Sequence, residues 1–251
     1  MSELNRTARI GRRLAGLLAL TVVTAHAAFA QVVHYPDGKP RLPKWSSLPD
    51  WNGLWERDGD NVWDNRIPLG VPQDPPYNEE YRKRAVEGPA GPRGSAFMSM
   101  PGWMGMLFPM EIQINRGQLT IMSENKQPRR IYTDGRVASD DTLPSTLGYS
   151  TGRWVNGALI VKTCYVRADT RLPGGGPHSD ELQIEERFYL RDFKTLVDEI
   201  TVKDPKAFTQ PWSTEKIWYR RPDWEPVEYD RTENDRESNG TTTVAPANTT
   251  R

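Results

Sequence analysis

From Met110 onward, apolar residues recur at alternate positions in short runs bounded by turn residues, the pattern of strands that bury one face. The runs are FPMEIQI (108–114), QLTIMSE (118–124), PRRIYTD (128–134), GYSTGRWV (148–155), ALIVKTCYV (158–166), DELQIEERFYL (180–190), TLVDEITVK (195–203) and STEKIWYRR (213–221). Asn156-Gly157, between two of them, suits a two-residue type I′ hairpin turn. Asn115-Arg116-Gly117 and the stretch 191–194 supply further reversals.

Eight successive strands with mostly short connections predict an antiparallel up-and-down meander. Closing the meander removes its exposed edges, so the fold expected is all-β, a lipocalin-like (calycin-type) barrel over 110–222. Residues 31–109 read as an irregular segment rich in Pro, Gly and Met that packs on the barrel, with one strand in LPDWNGLWERD (48–58) and a short helix in 75–88 ended by Gly88. The stretch 88–110 is too broken by Gly and Pro for a long element. It is also too apolar to float in water, so it is expected to cover the core or line a pocket entrance. The polar tail 228–251 lacks periodicity and reads as disordered.

Residues 1–30 combine a basic start, an apolar run over 14–23 and Ala28-Phe29-Ala30. This is the pattern of a secretory signal peptide, too short in its apolar core to span a bilayer, with cleavage near Ala30 and a periplasmic or secreted destination. Removing its four basic and one acidic residues from the 33 of each leaves a near-neutral chain of 29 basic and 32 acidic residues. Such a balance gives nucleic acid or an anionic membrane no electrostatic purchase, and no membrane span is read. The single cysteine, Cys164, excludes an intrachain disulfide framework, and with two histidines outside 1–30 a His/Cys metal site is not expected. No nucleotide motif is present, and no cofactor is expected. The three glycines 174–176 precede a strand rather than a helix N-terminus, so they read as a flexible approach to that strand and not as a phosphate cradle.

The blocks PRRIYTDGR (128–136), STGRW (150–154), PHSDELQIEERF (177–188) and DPKAFTQPW (204–212) occur in this order. In them the chain resembles a group of mostly uncharacterised exported bacterial proteins, frequent in proteobacteria and acidobacteria, over roughly residues 100 to 215. The group's usual pattern has Gly-His-Ser where this chain has Gly148-Tyr149-Ser150, and Val-Val-Asp-Thr where it has Val161-Lys162-Thr163. The resemblance therefore implies that, if those positions work in other members, this chain has a changed reaction or ligand.

Strand alternation sorts the candidate chemistry. Glu186 falls on the face of Leu182, Ile184 and Phe188. A carboxylate there needs a partner such as Arg129 or Arg153, or it carries a raised pKa suited to proton transfer. Asp198, among Leu196, Ile200 and Val202, makes the same case less strongly. Tyr132, Asp134 and Arg136 together can hold a carboxylate or phenolate, or they form a strand end with an Asp-Gly turn. Lys162 shares a face with Ile160 and Cys164 and is either a desolvated base or a lysine that snorkels outward. His178, in a loop before a strand, is either a proton shuttle at the barrel rim or a cap for backbone groups.

Two classes of function follow. One is an exported, cofactor-independent acid–base enzyme, a lyase, decarboxylase or isomerase, acting on an apolar or aromatic small molecule inside the barrel. His178, Glu186, Tyr132 and Lys162 would then act in catalysis. Arg129, Asp134, Arg136, Tyr149 and Arg153 would hold the polar end of the substrate, with Trp103, Trp154 and Met106 against its aromatic body. The other is a non-catalytic carrier that uses the same cavity for a hydrophobic ligand.

Overall fold

The computed structural model describes residues 33–71, 73–88, 99–124 and 126–226. The segment 1–30, the tail 228–251 and most of the stretch 88–98 lie outside the described residues. Nine strands form a closed barrel in sequence order: β1 (Gly53–Arg57), β2 (Met110–Asn115), β3 (Gln118–Met122), β4 (Arg129–Tyr132), β5 (Tyr149–Val155), β6 (Ala158–Cys164), β7 (Gln183–Asp192), β8 (Thr195–Lys203) and β9 (Trp212–Arg220). No described helix is long and apolar enough to cross a membrane.

The eight expected strands all form. The barrel nevertheless differs from a purely antiparallel eight-stranded meander in two respects. First, β1 is a stave of the wall and does not merely pack against it. It pairs with β2 through Gly53↔Ile112 to Trp55↔Met110 and with β9 through Trp55↔Arg220 to Arg57↔Trp218, satisfying two edges that eight strands would leave open. Its alternation also sends Trp55 and Arg57 inward.

Second, β4 and β5 pair in parallel, through Ile131↔Ser150 and Tyr132↔Thr151. A parallel neighbour requires a crossover, and the connection from Thr133 to Gly148 returns the chain to the end of the barrel where β4 began. Backbone bonds hold this connection to its surroundings: Val137 N–H to His34 O (3.0 Å), Ser145 N–H to Tyr165 O (3.0 Å) and Met100 N–H to Thr146 O (2.8 Å). Gly148, at φ +66°, enters β5 so close to β6 that a Cβ would lie 2.6 Å from the Cys164 carbonyl, so a side chain is excluded there.

The β5–β6 hairpin turns at Asn156 (φ 49°) and Gly157 (φ 78°), both left-handed, as a type I′ turn demands. The inward positions of the strands build one core that includes Trp55, Ile112, Leu119, Ile131, Leu159, Ile184, Leu196 and Val202. Among the described residues two short α-helices lie outside the wall. In α1 (Glu79–Glu87), Asn78 caps the start by accepting from Tyr81 N–H, and Gly88 follows the end. In α2 (Met100–Met104), Ser99 caps the start, and the helix buries Met100, Trp103 and Met104 against the barrel mouth.

Candidate functional site

Four adjacent inward positions place charge inside the apolar lumen. Arg129 on β4, Glu186 on β7, Asp198 on β8 and Lys216 on β9 are each at most 6% exposed. They line one small cavity of about 20 Å³, walled by Phe188 and Ile200 and covered by Trp103, Met104 and Met106. Asp198 and Lys216 face each other in register across β8 and β9. Arg129 and Glu186 form a two-pronged ion pair: one guanidinium nitrogen donates to Glu186 Oε1 at 2.8 Å and the other to Oε2. A hydroxyl chain continues from Arg129 through Thr163 (3.4 Å) to Ser150, whose Oγ lies 2.7 Å from that of Thr163.

Lys216 Nζ donates to the carbonyls of Val62 (2.8 Å) and Trp63 (2.6 Å), tying the loop after β1 across one end of the barrel. Thr214 Oγ1 donates to the same Trp63 carbonyl at 3.1 Å, and the Trp63 ring stacks on Trp212 with centroids 4.0 Å apart. Arg57 braces the cover by donating to Met106 O at 2.8 Å.

The electrostatics of this interior are set by desolvation. Burial raises the Asp198 carboxyl well above the ordinary range, and the Glu186 charge pushes the same way, against Arg129 and Lys216. Burial lowers Lys216 to about 6; Arg57 adds to the shift, and Asp198 and Asp64 oppose it. Arg57 itself is lowered to about 10 by burial. Desolvation thus shifts both Asp198 and Lys216 toward their neutral forms. A neutral amine has two N–H groups, and Lys216 has two carbonyls to receive them, which leaves its lone pair free. Four buried polar atoms on the lining residues have no partner among the described residues: Asp198 Oδ1, Arg129 Nε, Trp103 Nε1 and Trp218 Nε1. Three of these are N–H donors.

The fold separates the residues that the sequence groups together. Glu186, Arg129, Trp103 and Met106 meet at the lumen. Lys162 and Arg153 are exposed on the outer wall, because Lys162 pairs with Thr151 on the outward face of β5 and β6. They cannot reach the lumen and leave the candidate set. Trp154 is half-buried and packs edge-on against Trp51 at 5.1 Å, as a wall residue.

Tyr132 and Tyr149 also face outward, half-buried, with ring centroids 5.4 Å apart. Arg136 lies 4.0 Å over the Tyr132 ring and donates to both oxygens of Asp134, which also accepts from the Tyr35 hydroxyl at 2.8 Å. Burial presses the Asp134 carboxyl upward, but these donors outweigh it and hold its pKa below the usual value. Cys164 is a half-buried thiol that burial pushes up.

His178 and Glu186 line different cavities. His178 is 3% exposed and borders a surface cleft of about 670 Å³ beside α1. Its Nδ1 lies 2.8 Å from the Ser179 carbonyl and its Nε2 2.8 Å from Thr170 Oγ1. A carbonyl only accepts, so Nδ1 carries the proton in the neutral ring, and Nε2 shares the Thr170 hydroxyl with the Arg167 carbonyl, which lies 2.9 Å from the same Oγ1. Burial lowers the His178 pKa, opposed by the Ser179 hydrogen bond. The neighbouring Ser179 donates N–H and Oγ–H to Asp204, both at 2.6 Å, so the PHSD and DPKAF blocks lock together as structure. The glycines before them serve packing as well as flexibility: Gly174 and Gly175 have left-handed φ, and a Cβ on Gly176 would collide with the Tyr77 hydroxyl.

Lys216 and Arg57 are absent from the residues singled out in the sequence. The signal for Lys216 was the same two-residue step that singled out Glu186, since it alternates with Thr214 and Trp218. Among the described residues, no three His, Cys, Asp or Glu side chains are grouped so as to hold a metal ion.

Comparison with protein-family models, with curated proteins and with solved structures finds no match to this chain.

Proposed function

We propose that this protein is an exported, cofactor-independent acid–base enzyme of the lyase or isomerase kind. It works in the lumen of a lipocalin-like barrel on a small apolar or aromatic molecule with one oxygen function. The observation that carries the reading is the pairing of Asp198 with Lys216. An acid and an amine face each other in one apolar cavity, and desolvation drives both toward their neutral forms, the forms that can give and take a proton near pH 7.

In this scheme the Lys216 lone pair takes a proton from a carbon next to a carbonyl or ring oxygen. The Asp198 carboxyl delivers its proton to the oxygen that gains charge. The unpartnered N–H groups of Arg129, Trp103 and Trp218 stabilise that oxygen, with Arg129 held in place by Glu186. The cavity of about 20 Å³ admits little more than a water, so the substrate occupies space now filled by the cover. Met104 and Met106 are suited to yield it, since unbranched thioethers rearrange at low cost.

Solvent exchange at carbon tests the reading with a panel of compounds in place of a single substrate. The mature protein is incubated in D2O with aryl ketones, phenols and aryl carboxylic acids, and solvent deuterium entering C–H positions is read by NMR. At least one compound exchanges or turns over, and Asp198→Asn slows it by a factor of about 100 or more, the scale of a lost general acid. Stoichiometric binding with no exchange and no product would instead establish a carrier.

A further inference from the structure

We infer that the outer wall between β4 and β5 carries a second binding site, separate from the lumen, for a small planar anion of the aryl carboxylate class. It stands on its own geometry and does not depend on turnover inside the barrel. The β4–β5 ladder begins only at Ile131↔Ser150, so the backbone of Arg129 and Arg130 on one side and of Gly148 and Tyr149 on the other lies beyond its end. A pocket of about 260 Å³ forms at that gap, below the common range for drug-sized ligands and suited to a single ring.

Its walls are Pro128, Leu147 and the half-buried rings of Tyr132 and Tyr149, tilted at 39° to each other. Two tyrosines beside aliphatic surface favour a flat apolar body held by offset or edge contacts. The charge is one-sided, because Arg129 and Arg130 line the pocket and no carboxylate does. Arg129 is committed to Glu186, and Arg136, which covers Tyr132 at 4.0 Å, is committed to Asp134. Arg130 is exposed and makes no ion pair among the described residues, so its forked donor is the one available to a carboxylate at the rim. Ser145, whose hydroxyl donates to the Gly148 carbonyl at 3.1 Å, and Ser150 complete the lining.

Benzoate is the probe, titrated into the mature protein by calorimetry and by amide NMR. The expected result is saturable binding with shifts centred on residues 128–132 and 145–150. The neutral isostere benzamide and the ringless anion acetate should each bind at least tenfold more weakly. Arg130→Gln and, separately, Tyr149→Leu weaken benzoate at least tenfold; Arg130→Lys, which keeps the charge but not the fork, loses less. Asp198→Asn leaves benzoate binding unchanged. No saturable binding, equal affinity for benzamide, or loss in Asp198→Asn without loss in Arg130→Gln would each overturn the site. Failure of deuterium exchange with benzoate binding intact would overturn only the catalytic reading.

Discussion

Replacing Glu186 by Gln tests how the lumen shares its charge. The substitution is nearly isosteric, so its effect is electrostatic. Removing one partner of a buried ion pair costs about 3 to 5 kcal/mol, because the remaining charge is left uncompensated. Arg129, 3% exposed, would be in that position. A substitute is close by: the Glu186 charge helps hold the proton on Asp198, while Arg129 acts to remove it. Without Glu186 one of the influences that hold the proton is gone while the pull of Arg129 and Lys216 stays, so Asp198 ionises more readily and can take over as counter-ion, against the burial that still opposes its charge.

The pH dependence follows from the sign. A carboxyl whose folded pKa is raised binds a proton that the unfolded chain has released, so it costs stability as pH rises from the ordinary carboxylate range toward the folded value. Glu186→Gln relieves that cost, and its destabilisation relative to wild type shrinks as pH rises. Asp198→Asn mimics the protonated acid and should cost under about 1 kcal/mol alone, within the range of volume-conserving changes. The double variant has no carboxylate left and bears the full cost of about 3 to 5 kcal/mol expected of an unpaired buried charge. The double variant should therefore cost more than the two single effects summed, by more than the few tenths of a kcal/mol expected of independent sites. Urea unfolding of the four proteins at pH 5 and pH 8 measures it. Additive single effects, or a Glu186→Gln cost that does not change with pH, would refute the sharing of one charge between the two carboxyls.

Two further titrations are fixed by burial. Lys216 is lowered to about 6, so between that value and the ordinary lysine range the unfolded chain holds a proton that the folded chain does not, and stability rises with pH. Lys216→Met should remove about one proton, or about 1.4 kcal/mol per pH unit, from the slope between pH 7 and 9; equal slopes by urea unfolding would place a charged lysine in the lumen. His178 is lowered by burial, so folding stability is lost as pH falls through the ordinary histidine range toward the depressed folded value. His178→Gln should flatten that acid limb in thermal unfolding between pH 7 and 5 and leave deuterium exchange in the lumen unchanged.

The strands were legible because alternation is local: a two-residue period and an Asn-Gly turn are written in adjacent residues. Closure of the barrel was not, since β1 is followed by more than fifty residues before β2, and nothing between Arg57 and Met110 announces that Gly53 will pair with Ile112. The parallel entry of β5 depends on where the 133–148 connection leads, which its composition does not encode. For the site, alternation placed Glu186 inward and named Arg129 as a partner, and the two meet as an ion pair. It did not separate the two faces of β4. Arg129 and Tyr132 are three residues apart and therefore on opposite faces, a parity visible in the sequence but masked by the apparent unity of the PRRIYTDGR block.

That parity also explains the division of labour in the wall. β4 sends Arg129 to the lumen and Arg130 and Tyr132 to the surface, so one four-residue strand contributes to both the interior cavity and the outer pocket. Arg129 lines both, with its guanidinium held by Glu186. An anion seated against Arg130 would oppose the pull of Glu186 on the neighbouring guanidinium only weakly, since Arg129 is fixed by two bonds and a hydroxyl chain. Coupling between the two sites must then run through the charge of Arg129 and not through its movement. The sign is set by Coulomb's law: a negative charge at the outer pocket offsets part of Arg129's field and leaves Asp198 holding its proton more firmly. Benzoate should therefore shift the alkaline limb of any lumen pH profile, the limb set by the general acid Asp198, upward, and a neutral ring in the same pocket should leave it in place.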